Sequence, residues 1–386
     1  MKSEWTRVPL SRVAEVQTGP FGSQLHNKDY VTEGTPIVTV EHLGSRSFTT
    51  QNLPCVSEED RSRLSKYSLN TGDIVFSRVG SVDRCSYVNE ANAGWLFSGR
   101  CLRVRSTNIH PEFLYYFFCQ EQVKEYVKSI AVGATMPSIN TKLLNDVEVI
   151  LPPLPIQRKI ASILSALDDK IETNNAICRN LEELLLAVYR NVKYANECVV
   201  KELNTLAEFS KNKKQISELN CQTFFSTENM LPGKAGAVAA ASLPTMPKVT
   251  ACNPGDILVS NIRPYFKKIV YCSTKCGCSS DVLCFHPKED ICSTWLFCSL
   301  YEDDFFDYVT AGSKGTKMPR GDKAYIMRYG IAVPTREKLE EFKATGDLVL
   351  SQINCLRSEN ERLNKLREVI LPKLMNGKLD IENIKA

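Results

Sequence analysis

Residues 151–190, LPPLPIQRKIASILSALDDKIETNNAICRNLEELLLAVYR, leave the chain few ways to fold. Pro152, Pro153 and Pro155 end whatever precedes them, because proline disfavours helix at the residue before it yet fits a helix's first turn. Behind them Ile160, Leu164, Leu167, Ile171, Asn174, Cys178, Leu181, Leu185 and Val188 recur at alternating spacings of four and three, with no Gly or Pro between them. That is a heptad seam. About 35 residues rising ~1.5 Å each make a rod of roughly 50 Å. A rod that long in mid-chain separates two things.

The second half of the chain repeats the first. Val349, Ile353, Leu356, Asn360, Leu363, Arg367 and Ile370 return at the same spacings. Pro334 matches Pro152, and Gly315-Thr316-Lys317-Met318-Pro319 matches Gly133-Ala134-Thr135-Met136-Pro137. Gly72-Asp73-Ile74-Val75 matches Gly255-Asp256-Ile257-Leu258. The order is globule, helix, globule, helix. A period this long is a domain duplication rather than a solenoid.

Two apolar seams in one chain pack most simply on each other. An antiparallel register puts Leu164 opposite Ile370, Leu167 opposite Arg367, Ile171 opposite Leu363, Asn174 opposite Asn360, Cys178 opposite Leu356, Leu181 opposite Ile353 and Leu185 opposite Val349. The two asparagines then either satisfy each other and fix the register, or stay solvated beside a frayed seam.

At 386 residues there is room for two domains and their connectors. With 43% apolar and 24% charged residues the composition is that of a soluble globular protein. No apolar run is long enough for a membrane span, and no apolar segment follows Met1-Lys2-Ser3-Glu4-Trp5 as in a signal peptide. The expected location is the cytoplasm. A net charge of +4 permits nucleic-acid binding without arguing for it. The 15 cysteines are expected to be reduced thiols. Cys272, Cys276, Cys278 and Cys284 lack paired C-x2-C spacing and have no counterpart in the first half, so small buried thiols are expected over a zinc site. No metal ligand is assigned.

Along the first globule, residues 5–11 have helix-like spacing, and residues 18–25, TGPFGSQL, form a Gly/Pro turn. Backbone amides with Ser23 or Gln24 there could approach a phosphate; the plain alternative is a structural turn. Ile74-Val75-Phe76 reads as a buried strand. Arg78, at its exit before Ser81, suits a phosphate or a base edge, or a surface salt bridge. Residues 111–130 read as one amphipathic helix whose aromatics are core. Residues 133–140, GATMPSIN, form a loop offering Ser138 and Asn140, and residues 143–151 read as a strand.

The second globule repeats this order. Lys213 lies in a small basic run with Lys211 and Lys214, which is solvated or adds affinity beside DNA. The strand exit of residues 254–265, PGDILVSNIRPY, carries Asn261, Arg263 and Tyr265. The loop AGSKGTKMPRG carries Lys317 and Arg320. Residues 295–309 repeat the aromatic helix. The framework recurs while the loops differ, so two copies of one scaffold would read two targets.

Catalytic signatures are missing. There is no phosphate loop, G-x-S-x-G elbow, H-E-x-x-H or kinase set, and Leu151-Pro152-Pro153-Leu154 lacks the polar residue of an adenine-methyltransferase motif. His26, His42, His110 and His286 are isolated. The acidic pairs Asp168-Asp169 and Asp303-Asp304 read as helix surface. No catalytic residue is assigned, and the chain reads as a binder.

TGPFGSQL, the GDIVFSR strand, the GATMPSIN loop and the PPLPIQRKIASILSALDDKIE rod, set in a duplicated layout, closely resemble the specificity subunits of type I restriction–modification systems across essentially the whole chain. Family members usually carry Glu-Gln where this chain has Ile156-Gln157. The second copy has lost a proline at Pro334-Thr335, and Gly346 interrupts its seam.

The resemblance implies an α/β (α+β) fold with two target recognition domains in tandem repeat, separated by two long helices that form an intramolecular antiparallel coiled coil. Residues 1–152 and 196–335 would be the recognition domains; residues 153–195 and 336–386 would be the helices. Each domain would read one half of a split, asymmetric site in double-stranded DNA. Candidate contacts are Ser23, Gln24, Arg78, Ser81, Ser138 and Asn140 in the first domain, and Lys213, Asn261, Arg263, Tyr265, Lys317 and Arg320 in the second. Asn174 and Asn360 would set the coiled-coil register. The helices would fix the spacer and dock two modification (methyltransferase) subunits, and restriction subunits would join the assembly in phage defence. S-adenosylmethionine, ATP and Mg2+ would belong to those partners, with no cofactor in this chain. Competing expectations are a specificity subunit of a related defence system and a coiled-coil scaffold that does not bind DNA. A lone nuclease or methyltransferase fits least.

Overall fold

The computed structural model describes residues 5–379 except 21, 23, 196 and 290. It divides into two units, residues 1–172 with 360–386, and residues 173–359. Helices Leu154–Ala195 and Arg336–Met375 each run from one unit into the other.

In the first unit, strand Thr6–Pro9 pairs antiparallel with Glu148–Leu151, the strand that leads into the first long helix. Gln157 holds that helix start. Its buried side chain donates to Pro152 O and accepts from His110 N, both at 2.8 Å. The main sheet is antiparallel, in the order Ala14–Thr18, Cys101–Ser106, Ile74–Ser77, Cys85–Tyr87. A second sheet is ordered Tyr30–Val31, Cys55–Val56, Thr35–Val38, Leu96–Phe97. One face of the main sheet packs on helix Pro111–Cys119, whose Phe118 meets Phe76 edge-on at 4.7 Å between ring centres. Ile160, Leu164, Leu371 and Leu374 close the same core.

In the second unit, Val199–Glu202 pairs with Gly330–Val333. The main sheet repeats the first unit's order with Ala207–Phe209, Val282–Pro287, Ile257–Ser260 and Ile269–Tyr271. The smaller sheet differs. Lys248–Cys252 pairs directly with Cys276–Cys278, which leaves Phe224–Phe225 at the edge, parallel to Cys276–Cys278. Trp295 is fully buried, donates Nε1–H to Ala332 O at 3.0 Å, and meets Tyr189 at a tilt and Phe342 edge-on.

The helical seam is built within each unit. In the second, Asn174 Nδ2 donates to Glu359 Oε2 at 2.8 Å, Cys178 Sγ lies 3.9 Å from Ile353 O, and Arg357 donates to Glu182 at 2.6 Å. From Asn174 to Cys178 the facing residue falls from Glu359 to Ile353, so the pairing is antiparallel, with the long Arg357 side chain reaching along the seam to Glu182. In the first unit Arg367 pairs with Asp168. Asn360 belongs to that unit, and its carbonyl accepts from Asn364 Nδ2 at 3.0 Å.

Several local expectations are corrected. The lead at residues 5–11 is a strand and a short 3-10 turn, because Val8 pairs with Val149 rather than with its own helical neighbours. Each aromatic helix is two helices. The breaks fall at Gln120 and Glu302, which adopt extended backbone and begin a new turn. Residues 143–151 start in helix Thr141–Asn145 and become strand only at Glu148. Asp168 is not helix surface. It is 3% exposed and accepts from Tyr116 Oη at 2.8 Å as well as from Arg367. Gly346, which interrupts the apolar seam, lies inside the continuous second helix. A Cβ there would lie 2.5 Å from Thr294 Cγ2, so glycine lets helix Ser293–Tyr301 pack closely.

Candidate nucleic-acid interface

Each main sheet ends in the same pair of joined loops. In the first unit, strand Ile74–Ser77 exits through Arg78, whose amide donates to Arg100 O at 2.8 Å and whose Nη1 donates to Gly99 O at 3.1 Å. Gly80 N donates to Pro137 O at 2.8 Å, and Ile139 N to Arg78 O at 2.9 Å. Val79 and Val132 both bridge to Ser138. The loop pair therefore gathers Arg78, Ser81 and Ser138, with Met136 exposed at its tip.

The second unit repeats the scaffold. Arg263 N donates to Pro319 O at 2.8 Å, Gly321 N to Asn261 O at 3.1 Å, and Ile262 and Lys314 both bridge to Arg320. Here the gathered side chains are Asn261, Arg263, Tyr265, Lys317 and Arg320. Arg320 pairs with Asp281 at 3.1 Å. Tyr265 and Phe266 are both exposed, with ring centres 4.8 Å apart. Met318 repeats Met136 as an exposed tip.

Two details of this loop were not legible in the sequence. Arg263 and Lys267 flank the 3-10 turn Pro264–Phe266 with left-handed backbones, φ 50° and 51°. Arg263 Nε and Asn261 Oδ1 are buried without a hydrogen-bond partner. Lys267 and Lys234 both hold Asp303, at 2.7 and 2.8 Å, and their bonds push its carboxyl down to about 2. Burial pushes the Lys268 ammonium below its ordinary value.

The other expected residues lie outside these loop pairs or are occupied by the fold. Ser23 falls outside the described residues. Gln24 Oε1 accepts from Tyr67 Oη at 2.7 Å. Asn140 caps helix Thr141–Asn145, accepting from Leu143 N at 2.9 Å. Lys213 lies on an edge strand and donates to Thr250 at 3.3 Å.

The thiols of the second unit are packed as core. Cys252 touches Cys272, Cys276, Cys278 and Cys284, and all five are at most 3% exposed. Cys276 Sγ is 3.4 Å from Cys272 Sγ, and hydrogen bonding with Cys252 and Cys272 holds the Cys276 thiol below its ordinary value. Among the described residues, no three His, Cys, Asp or Glu side chains are arranged to hold a metal ion. No helix there is long and apolar enough to cross a membrane.

The family model described as "Type I restriction modification DNA specificity domain" matches residues 2–183. A putative type I restriction enzyme MjaX specificity subunit of Methanocaldococcus jannaschii is 32% identical over 433 residues, covering 98% of this chain and 94% of that protein. The type I restriction enzyme EcoDI specificity subunit of Escherichia coli is 21% identical, covering 97% of this chain and 89% of that protein. The crystal structure of a type I restriction–modification S subunit from M. genitalium shares the fold, with a TM-score of 0.59 and 13% identity over 97% of this chain and 96% of that one. With its duplicated α/β units, two long helices and full-length relative, the chain belongs to the specificity subunits of type I restriction–modification systems.

Proposed function

We propose that each unit reads one half of a bipartite, asymmetric DNA site through its joined loops, and that this chain is a non-catalytic subunit of a methyltransferase or endonuclease assembly. One observation carries the reading. Identical bridges, Val79 to Ser138 and Ile262 to Arg320, hold loops whose side chains differ in charge and shape. A scaffold kept constant under variable contact residues is what reading two different sequences requires. Arginine matches the acceptors of guanine, and exposed Ser, Lys and Tyr suit phosphates or base edges.

Both long helices belong to both units, which suits a spacer that converts protein length into a number of base pairs. Two modest half-sites joined rigidly act as one tight site. The partners are double-stranded DNA, two modification subunits and, in a complete system, restriction subunits. S-adenosylmethionine, ATP and Mg2+ act on those partners. The setting is the cytoplasm, in defence against phage.

The test is genome-wide adenine methylation in a methylation-free host that co-expresses this chain with a modification subunit. A split motif with a fixed spacer, absent without this chain, is the expected result. A stable complex that methylates nothing would overturn the reading in favour of a scaffold.

A further inference from the structure

Strand Cys101–Ser106, paired on both sides in the first unit's main sheet, holds a charge that the joined loops do not use. Arg103 is 6% exposed. Among the described residues its Nε has no hydrogen-bond partner, its Nη1 donates to Ser68 O at 3.4 Å, and its guanidinium lies 6.0 Å from the Phe97 ring centre. Its neighbour across one residue, Arg105, takes the nearby carboxylate for itself. Arg105 Nε and Nη2 donate to Asp73 at 2.8 and 2.7 Å, and Asn70 N fills the same carboxylate at 2.7 Å. Burial and the charge of Arg105 push the Arg103 guanidinium below its ordinary value, against the weaker opposing charges of Asp73 and Glu15.

Arg103 and Arg105 line a cleft of about 510 Å3, together with Glu15, Gln17 and Lys66. Gln17 Oε1 is also buried without a partner. Glu15 and Lys66 are exposed at the rim. A buried guanidinium with an unpaired Nε is costly, and a polar cleft over it invites an anion that would accept from it. The fold does not demand arginine here. Val75 pairs with Arg103 in the first unit as Leu258 pairs with Cys284 in the second, where the position is filled by a buried thiol.

The geometry points to a phosphate-binding cleft in the first unit, in which Arg103 and Lys66 take a phosphate group and Gln17 accepts from a hydroxyl or amine beside it. Guanidinium and phosphate form paired, charge-assisted hydrogen bonds, which suits Arg103 better than any acceptor now within its reach. The phosphate comes either from a free phosphate ester or from a DNA backbone, and only the second source rests on the proposed DNA reading.

The experiment uses the full chain and two probes. Inorganic phosphate is titrated against chloride at equal ionic strength while the thermal midpoint is followed. A saturable rise is expected in the wild type, lost in Arg103→Met and weakened severalfold in Lys66→Ala. In chloride, Arg103→Met should melt no lower than the wild type, since a buried charged group with an unpaired donor has been removed. A merely structural arginine would make it melt lower. The second probe is a duplex carrying the chain's own methylation motif. If free phosphate has no effect, yet both variants bind that duplex severalfold more weakly with a salt slope shallower by about one, the cleft takes a backbone phosphate. No response in either arm overturns the proposal. Failure of the wild type to bind any duplex defeats the DNA reading and leaves the free-phosphate arm standing.

Discussion

Arg263 holds the backbone position that Gly80 holds in the other unit. Both are left-handed, φ 50° and 75°, and both donate their amide hydrogen to a proline carbonyl at 2.8 Å, Pro319 and Pro137 respectively. The hydrogen bond joins two loops and dictates the conformation. Glycine adopts it without cost, whereas an L-residue pays about 1 kcal/mol or more in steric strain. The second unit keeps a large cation where the scaffold favours glycine, and strain of that kind concentrates at sites that bind or react.

Arg263→Gly should therefore separate stability from recognition. The thermal midpoint should hold or rise by about 2–4 °C, the scale of 1 kcal/mol in a domain of this size. Methylation should lose discrimination at the half-site read by the second unit and keep it at the other. Arg78→Ala should do the reverse. Motif mapping of the two variants checks both, and equal loss at both half-sites would remove Arg263 and Arg78 from the interface.

Matching motifs made the duplicated layout legible in the sequence, and apolar spacing made the seam and the buried strands Ile74–Ser77 and Ile257–Ser260 legible. Local periodicity failed where distant contacts decide. Val8 joins a strand because Val149, far along the chain, supplies its partner. Gly346 reads in sequence only as an interruption of the seam, and the close approach of Thr294 supplies the reason for it. The loop pairs could be named, but the left-handed turn of Arg263 depends on Pro319 O, which no neighbour in sequence announces. Arg103 went unnoticed because an arginine in a strand looks solvated until its burial is known.

The seam arginine gives a stability test. Asp168 is buried, and its partners are Arg367 and the Tyr116 hydroxyl. Arg367→Met leaves that carboxylate without a counter-charge and should cost about 3 kcal/mol, since breaking a buried pair costs more than the pair itself contributes. Adding Asp168→Leu should recover much of the loss. Denaturant melts of the wild type, the single and the double variants check this. A single variant as stable as the wild type would show that Tyr116 alone suffices.

Asp303 gives a pH signature. Lys234 and Lys267 hold its carboxyl at about 2, from an ordinary 3.8. A carboxylate with a depressed folded value stabilises above its ordinary value, and the contribution fades as the pH falls from about 4 toward 2. The side chain is 62% exposed, so solvent screens the effect and the contribution is small. Asp303→Asn should lower the thermal midpoint slightly at neutral pH, with the gap from wild type closing below pH 4. A gap that stays constant down to pH 2 would mean that Asp303 acts through packing rather than charge.

The last test concerns the helices as a ruler. The contacts of Asn174 with Glu359 and of Cys178 with Ile353 place Asn180 close to Asn354 on the facing helix. One heptad inserted after Asn180 and one after Asn354 keeps the seam in phase, because each insertion restores the four-three spacing. Seven residues at ~1.5 Å add about 10 Å. At ~3.4 Å per base pair along one strand, that is about three base pairs. The methylated motif should keep both half-sites and gain a longer spacer. Inserting a heptad in one helix alone offsets the two seams and should abolish methylation or folding. If the doubly extended chain methylates the original motif with its original spacer, the helices do not set the distance, and the spacing must come from the partner subunits.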